Sequence, residues 1–211
     1  TAHILTVPKT EHPTGLNEVR PIALLEVLLK LLTFFQADGL SKVWYESNIF
    51  EGTQHSSLPG HSVAAPLHIV RCIYEAAAQQ RLGNHPNKRH MHVLYCDYAK
   101  AFDSIPGFIV EAAMRTLGVP EQHLALFAEL DKKAWTKILT SHGLTNGFHP
   151  EKGIRQGDSA SPLRFIAILN ILMETLKEKN IGWRTETGEI VFGHAYADDC
   201  WLITENHEDL Q

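Results

Sequence analysis

The feature that most constrains this chain is the placement of acid at the ends of strand-like runs. Met91 to Asp97 (MHVLYCD) is a short series of strand formers ending in a carboxylate. Asp198-Asp199 sits at a tight hairpin between two further strand candidates, Glu189 to Ala195 and Cys200 to Thr204. Charge in such apolar surroundings needs a reason, because crowding or burying unpaired carboxylates is costly. The residues alone leave two readings open. Asp favours turns, so any exposed hairpin carries it; alternatively, like charges are gathered around a cation that relieves their repulsion. Hard oxygen ligands suit Mg²⁺, which takes one or two carboxylates and completes its shell with water and substrate phosphates.

Around these acids, strand-like and helical patterns alternate without an internal repeat, which places the chain in the α+β class. His3 to Lys9 and Glu18 to Ala23 flank Pro13 and Gly15 and predict a hairpin. A helix is expected from about Leu24 to Tyr45, and leucines on several of its faces predict that it is largely buried. Phe50 to Gly60 has the composition of a loop. His61 to Leu82 is helical with Ser62 as a candidate N-cap, and Gly83 to His90 is a polar connection. Ser104 and Pro106 open a helix ending near Gly118, and Pro120 to Trp135 forms another. Lys137 to Phe148 resembles a hairpin with turn signals at Gly143 and Asn146-Gly147. Ser161-Pro162 starts a helix to about Lys179, with Leu163, Ile166, Leu169, Met173 and Leu176 on one face.

The most apolar window, Pro21 to Phe35, is interrupted by Glu26 and Lys30 and is shorter than the roughly 20 residues a bilayer core demands. No membrane association is expected. No leader opens the chain, and Cys72, Cys96 and Cys200 are too scattered for a disulfide framework, so an intracellular location is expected. Thr1 in place of Met, and an end soon after the paired acids, predict a fragment of a larger polyprotein. The formal charge of −5 argues against an independent grip on phosphate, but the deficit lies entirely in the acidic stretch from Glu174 to Gln211.

Three segments in order carry a more specific signal: Asp97-Tyr98-Ala99-Lys100-Ala101-Phe102-Asp103, then Gly153-Ile154-Arg155-Gln156-Gly157-Asp158-Ser159-Ala160-Ser161-Pro162-Leu163, then Tyr196-Ala197-Asp198-Asp199. In order and spacing they resemble the reverse transcriptases. Arg20-Pro21-Ile22-Ala23-Leu24-Leu25 and the second segment are most similar in style to the non-LTR retrotransposon branch, with group II intron-like enzymes second. The resemblance implies a right-hand polymerase fold, with fingers over residues 1–90 and a palm over 91–211. The palm would be a small antiparallel sheet backed by helices, and the thumb would be absent.

The same resemblance implies RNA-directed DNA polymerase activity: deoxynucleotides added to a primer 3′-hydroxyl by two-metal-ion catalysis. Asp97 matches the first metal ligand, Asp198 the second and Asp199 the supporting acid, holding two Mg²⁺ ions for which Mn²⁺ could substitute. Partners would be an RNA template, a DNA or RNA primer and deoxynucleoside triphosphates; the oligomeric state stays open. Lys9 and Arg20, in the two strands of the fingers hairpin, would meet the triphosphate, since the planar guanidinium fork binds phosphate oxygens in pairs. Tyr98 and Ala101 fall at the nucleotide. Phe102 matches the aromatic ring that leaves no room for a 2′-hydroxyl, and Gln156 and Gly157 match the turn beside nucleotide and template, the glycine allowing close backbone approach.

Gln54 to Ser62 (QHSSLPGHS) stands where the family more often carries a Gln-x-Gly-Phe-like segment, which leaves template contact by this loop open. Asp103 is expected to cap a helix or pair with a nearby base. Two competing functions remain from the sequence: a catalytically inactive nucleic-acid-binding scaffold, and an RNA-dependent RNA polymerase.

Overall fold

A computed structural model describes residues 2–15, 18–50, 52–82 and 90–210. The polar connection expected at 83–90 lies outside the described residues except for His90. The elements run β1 (Ala2–Pro8), β2 (Val19–Leu24), α1 (Val27–Glu46), α2 (Ala64–Leu82), β3 (His92–Cys96), α3 (Ala101–Ser104), α4 (Gly107–Thr116), α5 (Glu121–Lys132), β4 (Thr136–Thr140), β5 (Gly143–Leu144), α6 (Ser161–Glu178), β6 (Trp183–Arg184), β7 (Ile190–Val191), β8 (Gly193–Tyr196) and β9 (Asp199–Thr204), followed by a 3₁₀ turn at His207–Leu210. This mixture is the α+β class expected. The chain forms two compact units, each built from two separated stretches: residues 1–41 with 100–167, and residues 42–99 with 168–211. Compactness thus divides the chain differently from a linear split at residue 90.

In the first unit the expected hairpin forms, with β1 and β2 antiparallel from His3↔Leu24 to Pro8↔Val19. A pairing the sequence does not announce extends it: β4 lies parallel to β1, Ala2 opposite Thr136 and Leu5 opposite Leu139, giving the strand order β2-β1-β4-β5. The β4–β5 turn falls at Ser141-His142, because Thr140 pairs with Gly143. Gly143 is therefore a strand residue, and Asn146-Gly147 does not turn this hairpin. Gly147 is glycine for another reason: a Cβ there would meet the Trp135 indole Nε1 at 1.9 Å. Helices α4 and α5 bury Val110, Ala113 and Met114, and Leu124 and Phe127, respectively. They form a helical hairpin across the short connection 117–120, alongside which Arg115 binds both Glu111 and Glu121. Ser104 is the last residue of α3, and Pro106 holds the cap position of α4.

In the second unit β3, β9 and β8 make a small antiparallel sheet with β9 central. Its core gathers Ile73 and Ala77 of α2 with Trp183, Trp201 and Ile203, against Val93 and Val191. The short β6–β7 ribbon supplies Trp183 to that core.

Helix α6 buries Leu163, Ile166, Leu169 and Met173, as its periodicity predicts, while Leu176 on the same face is only half-buried near the helix end. Helix α1 departs from expectation. Leu28 is 81% exposed and Val27, Phe34 and Phe35 are all more than half exposed, so the helix is not largely buried. Leucines on several faces need neighbours on several faces, and here only residues such as Thr33, Leu40 and Trp44 find them. Among the described residues no helix is long and apolar enough to cross a membrane.

Candidate active site

The second unit carries the acids. β8 turns into β9 through two residues, Ala197 and Asp198, closed by the pair Tyr196↔Asp199. β3 lies against β9 with Cys96 opposite Cys200. Asp97, the residue after Cys96, therefore leaves its strand at the same end of the sheet at which Asp198 and Asp199 make their turn. Ala195 and Cys200 are almost fully buried, so packing beneath fixes the strands that present the acids. Asp97 and Asp199 are exposed and Asp198 is half-buried.

None of the three carboxylates has a basic partner within ion-pairing distance among the described residues. Nor do any three Asp, Glu, His or Cys side chains there gather closely enough to hold a metal ion unaided. The chemistry of the donor set still suits Mg²⁺, a hard cation that uses one or two carboxylates and takes its other ligands from water and phosphate. Tyr98 is partly exposed, and its phenol is raised above its ordinary pKa by burial and by the thiol groups of Cys200 and Cys96.

A third segment supports this turn. Thr53 and His55 add to the free edge of β8, with Ala195 N–H donating to Thr53 O at 2.7 Å and His55 N–H to Ala195 O at 3.0 Å. The segment read as a loop is thus a one-bridge strand addition centred on Gln54 opposite Ala195. Beneath it, His55 Nε2 and His194 Nδ1 are 2.9 Å apart, and Nδ1 of His194 also lies 3.1 Å from Gly52 O.

Burial, reinforced by His55 alongside, pushes the His194 imidazole down to about 4, and burial with His61 nearby lowers His55. Both rings are therefore neutral in the fold at neutral pH. A base whose folded pKa is lowered contributes stability that is complete above its unfolded value, near 6.5, and is lost as pH falls towards about 4. The melting temperature is expected to fall through that window, and His194→Gln should flatten this part of the profile. An unchanged slope in that variant would show that other groups govern acid sensitivity.

The first unit holds the remaining expected residues except Tyr98. Arg20 is exposed on β2 opposite Val7, and Lys9 extends the same hairpin, its N–H donating to Glu18 O at 2.8 Å. The 153–158 loop joins two elements. Ala23 N–H donates to Gln156 O at 2.7 Å, while Ile154 N–H donates to Phe102 O at 2.6 Å and Gly153 N–H to Ile105 O at 2.7 Å. The loop therefore ties the Arg20 strand to the turn of helix containing Ala101 and Phe102.

Gly157 has φ +99°, and a Cβ there would lie 2.6 Å from Ala23 O. The close approach that requires glycine is thus to β2. Phe102 is half-buried and stacks on Phe165 at 4.6 Å between centroids, and Ala101 is buried in the same helical turn. Among the described residues Asp103 neither caps a helix nor pairs with a base: its carboxylate accepts from Gln156 Nε2 at 3.2 and 3.3 Å.

Sequence reasoning missed a polar cluster that holds this loop. Asp131 of α5 accepts from Arg155 Nη2 at 3.1 Å and from both terminal nitrogens of Arg164. Arg164 also lies over the Phe127 ring, 5.2 Å from its centroid. No local pattern marks this trio, whose arginines lie 24 and 33 positions from the acid. Gln54 is a second omission, although its place at the head of the Gln-x-Gly-Phe-like segment is a usable signal.

A family model described as reverse transcriptase (RNA-dependent DNA polymerase) matches residues 7–211. The chain is 26% identical over 210 residues to the retrovirus-related Pol polyprotein from type-2 retrotransposable element R2DM of Drosophila melanogaster, a match covering 100% of this chain and 19% of that polyprotein. It is 27% identical over 119 residues to the corresponding polyprotein from type-1 retrotransposable element R2 of Popillia japonica, covering 56% of this chain and 20% of that one. The chain thus spans about a fifth of the length of the curated relatives it matches. In fold it is similar to telomerase from Candida tropicalis in complex with a TWJ fragment of telomeric RNA, with a TM-score of 0.65 at 11% identity over 99% of this chain and 36% of that one.

Proposed function

Because the chain belongs to the reverse transcriptase (RNA-dependent DNA polymerase) family, we propose that it adds deoxynucleotides to a primer 3′-hydroxyl on an RNA template, as part of a non-LTR retrotransposon polyprotein. The observation that carries this reading is the strand register that brings Asp97, Asp198 and Asp199 to one end of the β3-β9-β8 sheet, with no basic partner among the described residues.

Asp97 and Asp198 would hold Mg²⁺, with Asp199 supporting them. When bound, the metal supplies Lewis-acid activation of the hydroxyl and neutralises charge on the transferring phosphoryl group. The other roles belong to the protein. The exposed Arg20 guanidinium binds triphosphate oxygens in pairs, with Lys9 as a further point charge. Phe102, held by its stack on Phe165, presents a rigid ring against the sugar and rejects a 2′-hydroxyl by steric exclusion. Gln156, its amide turned by Asp103, and Gly157 line the turn beside the nucleotide and template; Tyr98 and Ala101 complete the nucleotide's surroundings. In functional terms fingers span residues 1–90 and palm 91–211, a division that cuts across the compact units. The three free thiols suit a reducing, intracellular setting.

Primer extension tests this. With Mg²⁺ and an RNA template, deoxynucleotides are expected to be incorporated in preference to ribonucleotides, and Phe102→Ala is expected to raise ribonucleotide use by about tenfold or more, the scale of losing one steric contact. Incorporation of ribonucleotides by the unaltered protein would instead identify an RNA replicase. RNA binding without any incorporation would identify a scaffold.

A further inference from the structure

The Tyr196-Ala197-Asp198-Asp199 hairpin has an unusual residue at its tightest point. Ala197 has φ +55°, whereas Asp198 is not among the residues with positive φ. A two-residue hairpin with positive φ at its first central position is the type II′ arrangement, which ordinarily places glycine there because a Cβ crowds the backbone. In such a turn the N–H and C=O of the first central residue have no partner within the hairpin. Here both meet one side chain. Ala197 N–H donates to Gln54 Oε1 at 3.2 Å, and Gln54 Nε2 donates to Ala197 O at 3.5 Å.

Gln54 is itself fixed. It is 1% exposed, its backbone bridges to Ala195, and its Oε1 also accepts from the N–H groups of His55 and Ser56, each at 3.0 Å. One carboxamide therefore ties the strand addition at 53–55 to the turn between the acids. The carbonyl of Ala197 shares its peptide plane with the nitrogen of Asp198. Holding that carbonyl fixes the plane, and with it the positions of the Asp198 nitrogen and Cα from which the side chain leaves.

We infer that Gln54 is a positioning residue for nucleotide addition, bracing the strained Ala197 peptide so that Asp198 is held in its working orientation. The inference rests on the polymerase reading, since it is that reaction which Asp198 would serve. Gln54 touches no reacting atom; it acts through the turn. Because the alternative to a brace is a residue that tolerates the turn unaided, glycine at position 197 should substitute for it.

The test uses Gln54→Ala and Gln54→Glu, each alone and combined with Ala197→Gly. The Glu variant keeps an acceptor for the three N–H groups but sets a carboxylate oxygen, in place of the donor, against Ala197 O at a site only 1% exposed, so it tests the donation separately from the acceptance. In Gln54→Ala, kcat for deoxynucleotide addition is expected to fall about 10- to 100-fold, with nucleotide KM within about twofold, as for a misplaced catalytic group. Gln54→Glu should lose at least as much, because its second oxygen repels the carbonyl that the amide nitrogen held. Ala197→Gly should return a large part of the loss in either background, a coupling that a purely structural glutamine would not show.

Hydrogen exchange at the Ala197 amide provides a readout that does not need activity, and it should accelerate in Gln54→Ala. If the unaltered protein incorporates no nucleotide, the polymerase reading fails, and the brace is then judged on exchange alone. An unchanged Ala197 exchange rate, wild-type kcat in a folded Gln54 variant, or a loss that Ala197→Gly leaves undiminished would each overturn the inference.

Discussion

Asp97→Asn and Asp198→Asn are each expected to abolish nucleotide addition by at least a thousandfold, about 4 kcal/mol of lost transition-state stabilisation, while leaving the protein folded. The second half of that expectation follows from the structure. No basic side chain among the described residues pairs with these carboxylates, so neutralising one breaks no ion pair. The metal-free melting temperature should stay level or rise slightly, as expected when like charges are thinned. Loss of activity with retained or improved stability is the signature of a group kept for chemistry at a cost to folding. Asp199→Asn should lose less, in keeping with a supporting role. Retained incorporation in either Asp97→Asn or Asp198→Asn would remove the metal assignment.

The largest effect on stability is expected at Asp131. One carboxylate there serves two guanidinium groups whose side chains are only 11% (Arg155) and 7% (Arg164) exposed. Truncating one partner of a buried ion pair leaves charge without compensation, which costs about 3–5 kcal/mol. Asp131→Ala should fall at the lower end of that range, about 3 kcal/mol, because Asp131 is itself 38% exposed and Arg155 keeps Asp158 at 3.7 Å. Urea denaturation measures the difference. A change below about 1 kcal/mol would place the trio with ordinary surface pairs. Arg155 belongs to the loop that joins Ala23 to Phe102, so nucleotide KM should rise in Asp131→Ala before global unfolding sets in.

These two sites differ in how far the sequence discloses them. Asp97 can be read because a run of strand formers delivers it, and Asp198-Asp199 because they sit at a hairpin between apolar strands; both are local patterns. Asp131 cannot be read, since nothing within a few residues of an acid on an amphipathic helix distinguishes a surface carboxylate from one that binds two buried arginines. The glycines show the same limit. Gly157 and Gly147 stand out as glycines with a purpose, but the atoms that require them, Ala23 O and the Trp135 indole, lie well away along the chain.

What the residues alone determined was the class of local structure and the family: hairpin β1–β2, the period of α6, the strand ends bearing acid, and three ordered segments of reverse transcriptase type. These depend on propensity, periodicity and spacing, all of which are carried by neighbours in sequence. Tertiary structure decided the parallel pairing of β4 with β1, the exposure of α1, the stack of Phe102 on Phe165 and the grip of Gln54 on Ala197. Each of these is settled by which distant surfaces meet, and a hydrogen bond or a packing contact between residues 143 positions apart leaves no periodic trace in the chain.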